Sequence, residues 1–297
     1  MSVSELELGD RGESGVPARV GVLGGGRMGA GIAHAFLLAG AHVALVERND
    51  TEATAARERV LRAVDASITR GATGETRPEL AARLAVGADF GLFRDRELVV
   101  EAVPEVRALK VDALQRVEAQ LADDAALASN TSSISIDDLA DELQRPARFL
   151  GLHFFNPVPA SNLVELVTGS ATSPELVADA RSWVSALGKT PITVSDAPGF
   201  ASSRLGVALG LEAIRMLEEG VASASDIDAA MMLGYKHPVG PLKLTDLVGL
   251  DVRLGIAEYL HQQLGARFEP PALLRRLVGE GKLGRKSGQG FYRWDES

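Results

Sequence analysis

The apolar run RVGVLG, starting at Arg19, meets Gly24-Gly25-Gly26-Arg27-Met28-Gly29, and the small-residue stretch MGAGIAHAFLLAG follows at once. A glycine cluster at that junction admits few chain paths: a strand, a tight turn and a helix, in that order. The spacing is GxGxxG, and each glycine has its own reason. Gly24 permits the turn, Gly26 lets backbone approach a ligand without a Cβ between them, and Gly29 lets the helix pack closely on the strand. Helix N-terminal N–H groups then face a pyrophosphate, with Arg27 and Met28 beside it. Taken alone, the same letters also describe a turn that binds nothing.

A second β-rich run, HVALVE, ends at Glu47, 23 residues after Gly24. A carboxylate there is placed to accept hydrogen bonds from adenosine ribose hydroxyls and to repel a 2′-phosphate, which favours NAD over NADP. Arg48 is adjacent and could serve such a phosphate, so NADP stays open at this point.

Short apolar runs recur at 98–103, 126–129, 149–155, 163–167 and 190–195, with helical segments between most of them. Alternation of this kind implies a largely parallel sheet covered by helices on both faces. Beyond Pro198 the pattern changes, and 198–220, 225–233, 241–265 and 271–280 read as helices. The expected fold is therefore α/β: a Rossmann-type doubly wound sheet domain followed by an all-α C-terminal domain. The expected divisions are a mobile N-terminal tail over 1–17, the nucleotide-binding domain over 18–196, and a helical substrate and dimerisation domain over 197–297.

Charge and composition remove other classes. The net charge of -9 and the lack of clustered Lys and Arg argue against a nucleic-acid groove. With no cysteine there is no disulfide and no thiolate nucleophile, and the five histidines are scattered outside any familiar metal-ligand spacing. No metal is expected. An acidic polar start and the absence of a long apolar run point to a cytoplasmic protein with no membrane association.

The chain also carries more specific words. GGGRMGAGIA, VEAVPE with Lys110 after it, ASNTSSISI, GLHFFNPVP, LVELVTGSATS, APGF, HPVGPLKLTDLVGLD and LGRKSGQGFY stand in this order between Arg19 and Trp294. Together they make the chain resemble the 3-hydroxyacyl-CoA dehydrogenases, including 3-hydroxybutyryl-CoA dehydrogenases. The resemblance implies an NAD-dependent enzyme of fatty-acid type metabolism that interconverts 3-hydroxyacyl and 3-oxoacyl thioesters and dimerises through its helical domain. It implies His153 as acid/base, Glu165 as its partner, and Ser132 as a contact to the substrate oxygen. Glu105, Lys110, Asn130 and Asn156 would border the nicotinamide half of NAD. The chemistry agrees: oxidising a secondary alcohol needs a base for the hydroxyl proton, and an imidazole held by a carboxylate supplies one.

Three departures from the family pattern stand out. After Pro198-Gly199-Phe200 the family places an asparagine where this chain has Ser203, a shorter donor toward the same oxygen. The basic pair that meets CoA phosphates is reduced to Arg70-Gly71-Ala72, with Arg62 available on the same helix, and Asn162 replaces a lysine. An acyl group tethered to an acyl-carrier protein, and a non-catalytic NAD-binding protein on the same scaffold, are therefore alternatives to a CoA-linked enzyme.

Overall fold

A computed structural model describes residues 15–294. The part of the expected N-terminal tail at 1–14 lies outside the described residues, while Val16, at 2% exposure, is packed into the core. Packing thus begins before the expected boundary at residue 18. The chain divides into two compact units, one ending at Asp196 and the other beginning at Ala197.

The first unit is built on strands β1 (Arg19–Leu23), β2 (His42–Val46), β3 (Leu84–Gly87), β4 (Leu98–Glu101), β5 (Ala126–Ser129), β6 (Phe149–Phe154), β7 (Leu163–Thr168) and β8 (Thr190–Ser195). They form one eight-stranded sheet in the order β3-β2-β1-β4-β5-β6-β7-β8. Every neighbouring pair is parallel except β6 and β7, which run antiparallel. Helices α1 (Arg27–Leu38), α2 (Asp50–Thr69), α3 (Arg77–Ala82), α4 (Arg107–Glu118), α5 (Ile136–Ala140) and α6 (Pro174–Ala186) connect them. β4 and β5 are buried at every position, as expected for parallel strands covered on both faces, and hence their continuous apolar runs. Val22, Phe36, Leu45, Leu98, Val100 and Leu150 share one core cluster. Full burial of each such side chain contributes about 1.5–3 kcal/mol.

Local chemistry sets the helix starts. The Asn49 side chain accepts the Glu52 N–H at the head of α2, and Thr76 with Glu79 forms a capping box on α3. β3 was not expected. Only its first residue, Leu84, is buried, so no continuous apolar run marks it, and it sits at the sheet edge beside β2.

The second unit contains α7 (Ser202–Glu218), α8 (Ala224–Ala229), α9 (Pro241–Val248), α10 (Leu250–Leu264) and α11 (Ala272–Gly279). The single helix expected over 241–265 is two helices, because Gly249 adopts φ 106°, a conformation no helix interior accepts. Two buried carboxylates organise this unit. Asp246 accepts from the Phe291 and Tyr292 N–H groups and from Trp294 Nε1, which clips the C-terminal segment onto α9. Asp228 accepts from the Leu242 and Lys243 N–H groups at the start of α9 and from Tyr292 Oη. Much of HPVGPLKLTDLVGLD and LGRKSGQGFY is thus structural. Among the described residues no helix is long and apolar enough to cross a membrane.

Candidate active site

From β1 the chain winds outward through β2 and β3, then returns to β4 on the other side of β1. The reversal opens a crevice at the carboxyl ends of β1 and β4, the position where doubly wound sheets bind ligands. The glycine loop occupies it. Gly24 has φ 91°, and a Cβ there would meet the Ala102 carbonyl oxygen at 2.9 Å. A Cβ on Gly29 would come within 1.7 Å of the Gly24 carbonyl oxygen, so only glycine lets α1 start this close to β1. Gly25, which the spacing rule leaves unassigned, is as constrained, since its Cβ would lie 2.2 Å from that of Ala56. Gly26 differs: nothing stands within 4 Å of its missing Cβ. As N-cap of α1 it also offers no side chain to the helix's first N–H groups.

Glu47 is half-buried at the end of β2, where its Oε1 accepts the Gly25 N–H at 2.6 Å and its Oε2 the Arg48 N–H at 3.0 Å. It anchors the loop as well as facing it. Arg59 joins from α2, donating to the Gly25 carbonyl at 2.9 Å. The Arg48 guanidinium is paired with Glu52 on the surface. Arg27 and Asn156 line one cleft of about 560 Å³ together with Gly26, Gly31 and Arg62. Met28 packs against the core from the first turn of α1. Open space over Gly26, uncapped N–H groups and a carboxylate at the end of β2 together fit a dinucleotide with free ribose hydroxyls.

A second group of residues lies at the carboxyl ends of β4, β5 and β6. Glu101 ends β4 fully buried, and its Oε1 accepts from Lys110 Nζ at 2.7 Å and the Val103 N–H at 2.6 Å, its Oε2 from Ser129 Oγ at 2.6 Å. Glu105 receives Thr131 Oγ1 at 2.6 Å and the N–H groups of Ser132 and Ser133 at 2.9 and 3.0 Å, with Lys110 Nζ 3.3 Å from its other oxygen. Burial is the largest influence on the Glu105 pKa and pushes it up. Lys110 and the hydroxyl and amide donors outweigh burial, so the net displacement is downward. Lys110 is therefore an internal counter-ion that braces two loops, and Ser132 Oγ leans toward Glu105 at 3.3 Å.

Asn130, the residue after β5, accepts the Phe154 N–H at 2.8 Å and so ties β5 to β6 beside His153. His153 and Glu165 are direct cross-strand partners in the antiparallel β6–β7 pair. Their separation is 2.7 Å between Nδ1 and Oε2, at 6% and 0% exposure. A carboxylate accepts from Nδ1–H, which makes Nε2 the basic nitrogen. Ser203 belongs to the second unit, half-buried in the first turn of α7.

Residue patterns missed Glu101, Ser129, Thr131, Ser133 and Arg59. Glu101 had a signal, a lone charge inside the apolar run LVVEAV nine residues before Lys110. The others are ordinary polar residues whose roles depend on which loop ends the sheet brings together.

A glycine loop at the switch point of a doubly wound sheet, with a buried His–Glu pair farther along the same sheet, defines a dinucleotide-dependent oxidoreductase architecture. Residues 19–197 match the 3-hydroxyacyl-CoA dehydrogenase NAD binding domain, and residues 199–294 match the C-terminal domain of the same family. The chain belongs to the 3-hydroxyacyl-CoA dehydrogenase family, and its first unit is that family's NAD-binding domain. It is 42% identical over 278 residues to a 3-hydroxybutyryl-CoA dehydrogenase of Mycobacterium tuberculosis, covering 92% of this chain and 97% of the relative. It is 39% identical over 277 residues to a probable 3-hydroxybutyryl-CoA dehydrogenase of Deinococcus radiodurans, covering 93% and 100%. Among solved structures it is similar to FadB2 of M. tuberculosis, at TM-score 0.89 and 41% identity over 94% of this chain and 99% of that one. It is also similar to the (S)-3-hydroxybutyryl-CoA dehydrogenase PaaH1 of Ralstonia eutropha, at TM-score 0.89 and 37% identity over 94% and 100%.

Proposed function

We propose that the protein interconverts 3-hydroxyacyl-CoA and 3-oxoacyl-CoA, with His153 as acid/base, Glu165 as its positioning partner, and Ser132 and Ser203 as donors to the 3-oxygen. The observation that carries this reading is the buried 2.7 Å contact between His153 and Glu165. Bound NAD supplies the hydride acceptor, or in its reduced form the donor. His153 Nε2 takes the hydroxyl proton during oxidation and returns it during reduction, while Glu165 fixes the tautomer and stabilises the imidazolium. The hydroxyls of Ser132 and Ser203 follow the change of charge on the substrate oxygen. Gly24, Gly26, Arg27, Met28 and Gly29 hold the pyrophosphate region and Glu47 the ribose; Glu105, Asn130 and Asn156 shape the nicotinamide side, and Lys110 fixes Glu105.

Oxidation of NADH by acetoacetyl-CoA, run in parallel with NADPH, tests this. Turnover is expected, with NADH preferred by at least roughly tenfold because Glu47 repels a 2′-phosphate. No turnover of any 3-oxoacyl thioester would refute the reading.

An acyl-carrier-protein thioester is a second reading, favoured by one contact: Arg70, the remaining charge of the basic pair, is engaged with Ser67 Oγ at 3.2 Å. Turnover of the carrier-bound substrate faster than the CoA ester would support it. The helical unit exposes Leu205, Leu233, Tyr235 and Val252, an apolar surface suited to a homodimer, which sedimentation would detect. A cytoplasmic location completes the proposal.

A further inference from the structure

Two successive peptide groups of the glycine loop are each held by a side chain from another element. At the end of β2, Glu47 Oε1 accepts the Gly25 N–H at 2.6 Å. From α2, the half-buried Arg59 donates through Nη1 to the Gly25 carbonyl at 2.9 Å. The helix comes this close because Gly25 has no side chain: a Cβ there would lie 2.2 Å from that of Ala56, which shares a helix face with Arg59. Among the described residues no carboxylate stands in ion-pair range of Arg59, and the Gly25 carbonyl is its hydrogen-bond acceptor. A full charge is thus directed at a neutral backbone oxygen.

The two contacts fall on consecutive planar trans units, so each fixes a whole peptide. Holding the Gly25 carbonyl toward α2 turns the Gly26 N–H the opposite way. The torsions that rotate this unit, ψ of Gly25 and φ of Gly26, both belong to glycines, so no Cβ opposes a turn-over of the peptide. Turned over, the unit would present an oxygen where it now presents an N–H, and an oxygen repels the anion that the α1 N-terminus attracts. A loop ordered before its ligand arrives also binds more tightly than one the ligand must order.

We propose that Arg59 is a positioning residue for the cofactor: by holding the Gly25 carbonyl it keeps the Gly26 N–H turned toward the pyrophosphate, without touching the pyrophosphate itself. This rests on the reading that the glycine loop holds NAD. The open space over Gly26, with nothing within 4 Å of its missing Cβ, leaves room for the phosphates there. Planarity puts Arg59 and whatever the Gly26 N–H meets on opposite sides of the peptide. Arg59 also borders the cleft lined by Arg27 and Arg62, which makes a direct phosphate contact the rival role. The two roles differ in the cofactor-free protein: a positioning residue orders the loop there, whereas a phosphate ligand acts only when phosphate is bound.

The test uses the full-length protein, isotope-labelled at glycine for NMR, with the variants Arg59→Met and Arg59→Lys. Met keeps the apolar stem and removes the donor, whereas Lys keeps a charged donor on a long stem. Arg59→Met is expected to raise the Kd for NADH about tenfold, with kcat at saturating NADH and the KM for acetoacetyl-CoA within about threefold of wild type, and Arg59→Lys to recover most of the affinity. In the cofactor-free Arg59→Met protein the Gly26 amide signal should broaden or split as the peptide exchanges between two orientations, and sharpen again with NADH. A weakened Kd with the cofactor-free Gly26 signal unchanged would make Arg59 a phosphate ligand and overturn the proposal. An unchanged Kd overturns it as well, and so does a loss confined to Tm and kcat. Gly26→Ala separates this inference from the reading beneath it: NADH affinity intact in Gly26→Ala refutes the loop as the cofactor site, whereas affinity lost in Gly26→Ala and kept in Arg59→Met overturns the role of Arg59 alone.

Discussion

Lys110 Nζ lies 2.7 Å from Glu101 Oε1, and neither side chain reaches water, at 1% and 0% exposure. Removing one partner of such a pair strands the other charge in a low-dielectric interior. The cost is about 3–5 kcal/mol, whereas replacing both partners together costs far less. Ser129 and the Val103 N–H would still donate to Glu101, which holds the loss toward the lower end. Lys110→Met is expected to lose about 3 kcal/mol in urea unfolding, and Glu101→Gln with Lys110→Met to recover part of it. A single-mutant loss within experimental error would show that the pair does not hold these loops.

His34, in α1, is buried with Nε2 against Ser67 Oγ at 2.9 Å. Burial, followed by the positive charge of Arg70, lowers its pKa to about 4. In the unfolded chain the group titrates near 6.5. The unfolded state therefore binds more protons between these values, and stability falls as pH drops from about 6.5 toward 4, by on the order of 3 kcal/mol. Above pH 6.5 the contribution is complete. His34→Leu should flatten the stability profile in that window; an unaltered slope would mean that carboxylates alone produce it.

How much of this was legible in the chain depended on whether a signal was local. The glycine loop, the apolar strands and the start of the helical unit follow from neighbours in sequence. β3 was missed because only Leu84 of its residues is buried and no apolar run marks it, and Gly249 because a glycine within a helical pattern does not announce a positive φ. The His153–Glu165 pair was named through family resemblance; only the antiparallel β6–β7 register, the exception in a parallel sheet, gives its physical reason.

Gly26 and Gly29 separate ligand binding from packing within one loop. A Cβ on Gly29 would collide with the Gly24 carbonyl oxygen at 1.7 Å, whereas one on Gly26 would meet nothing within 4 Å. Gly29→Ala is expected to lower Tm by several degrees, since the overlap can be relieved only by moving backbone. Gly26→Ala should leave Tm nearly unchanged and raise the Kd for NADH by at least roughly tenfold, because its methyl enters the space the pyrophosphate needs. Equal effects of both substitutions on Tm would remove the distinction.

In the proposed mechanism Glu165 acts on the reaction through His153, to which it is joined at 2.7 Å across the β6–β7 pair. The strand pairing holds the two Cα positions, so Glu165→Gln should keep the geometry while changing the chemistry. An amide can donate to Nδ1 and thereby favour the tautomer with its proton on Nε2, the nitrogen that must accept one. It also supplies no charge to the imidazolium. Turnover of 3-hydroxyacyl-CoA is expected to fall by about 10²–10⁴-fold. The Kd for NADH should remain within a few-fold, since Glu165 is placed on β7 and not in the glycine loop. His153→Ala should cost at least about 10²-fold. The double variant should be little worse than His153→Ala alone, because a positioning residue has nothing left to position. If the two losses multiplied instead, Glu165 would act on the reaction by a route of its own.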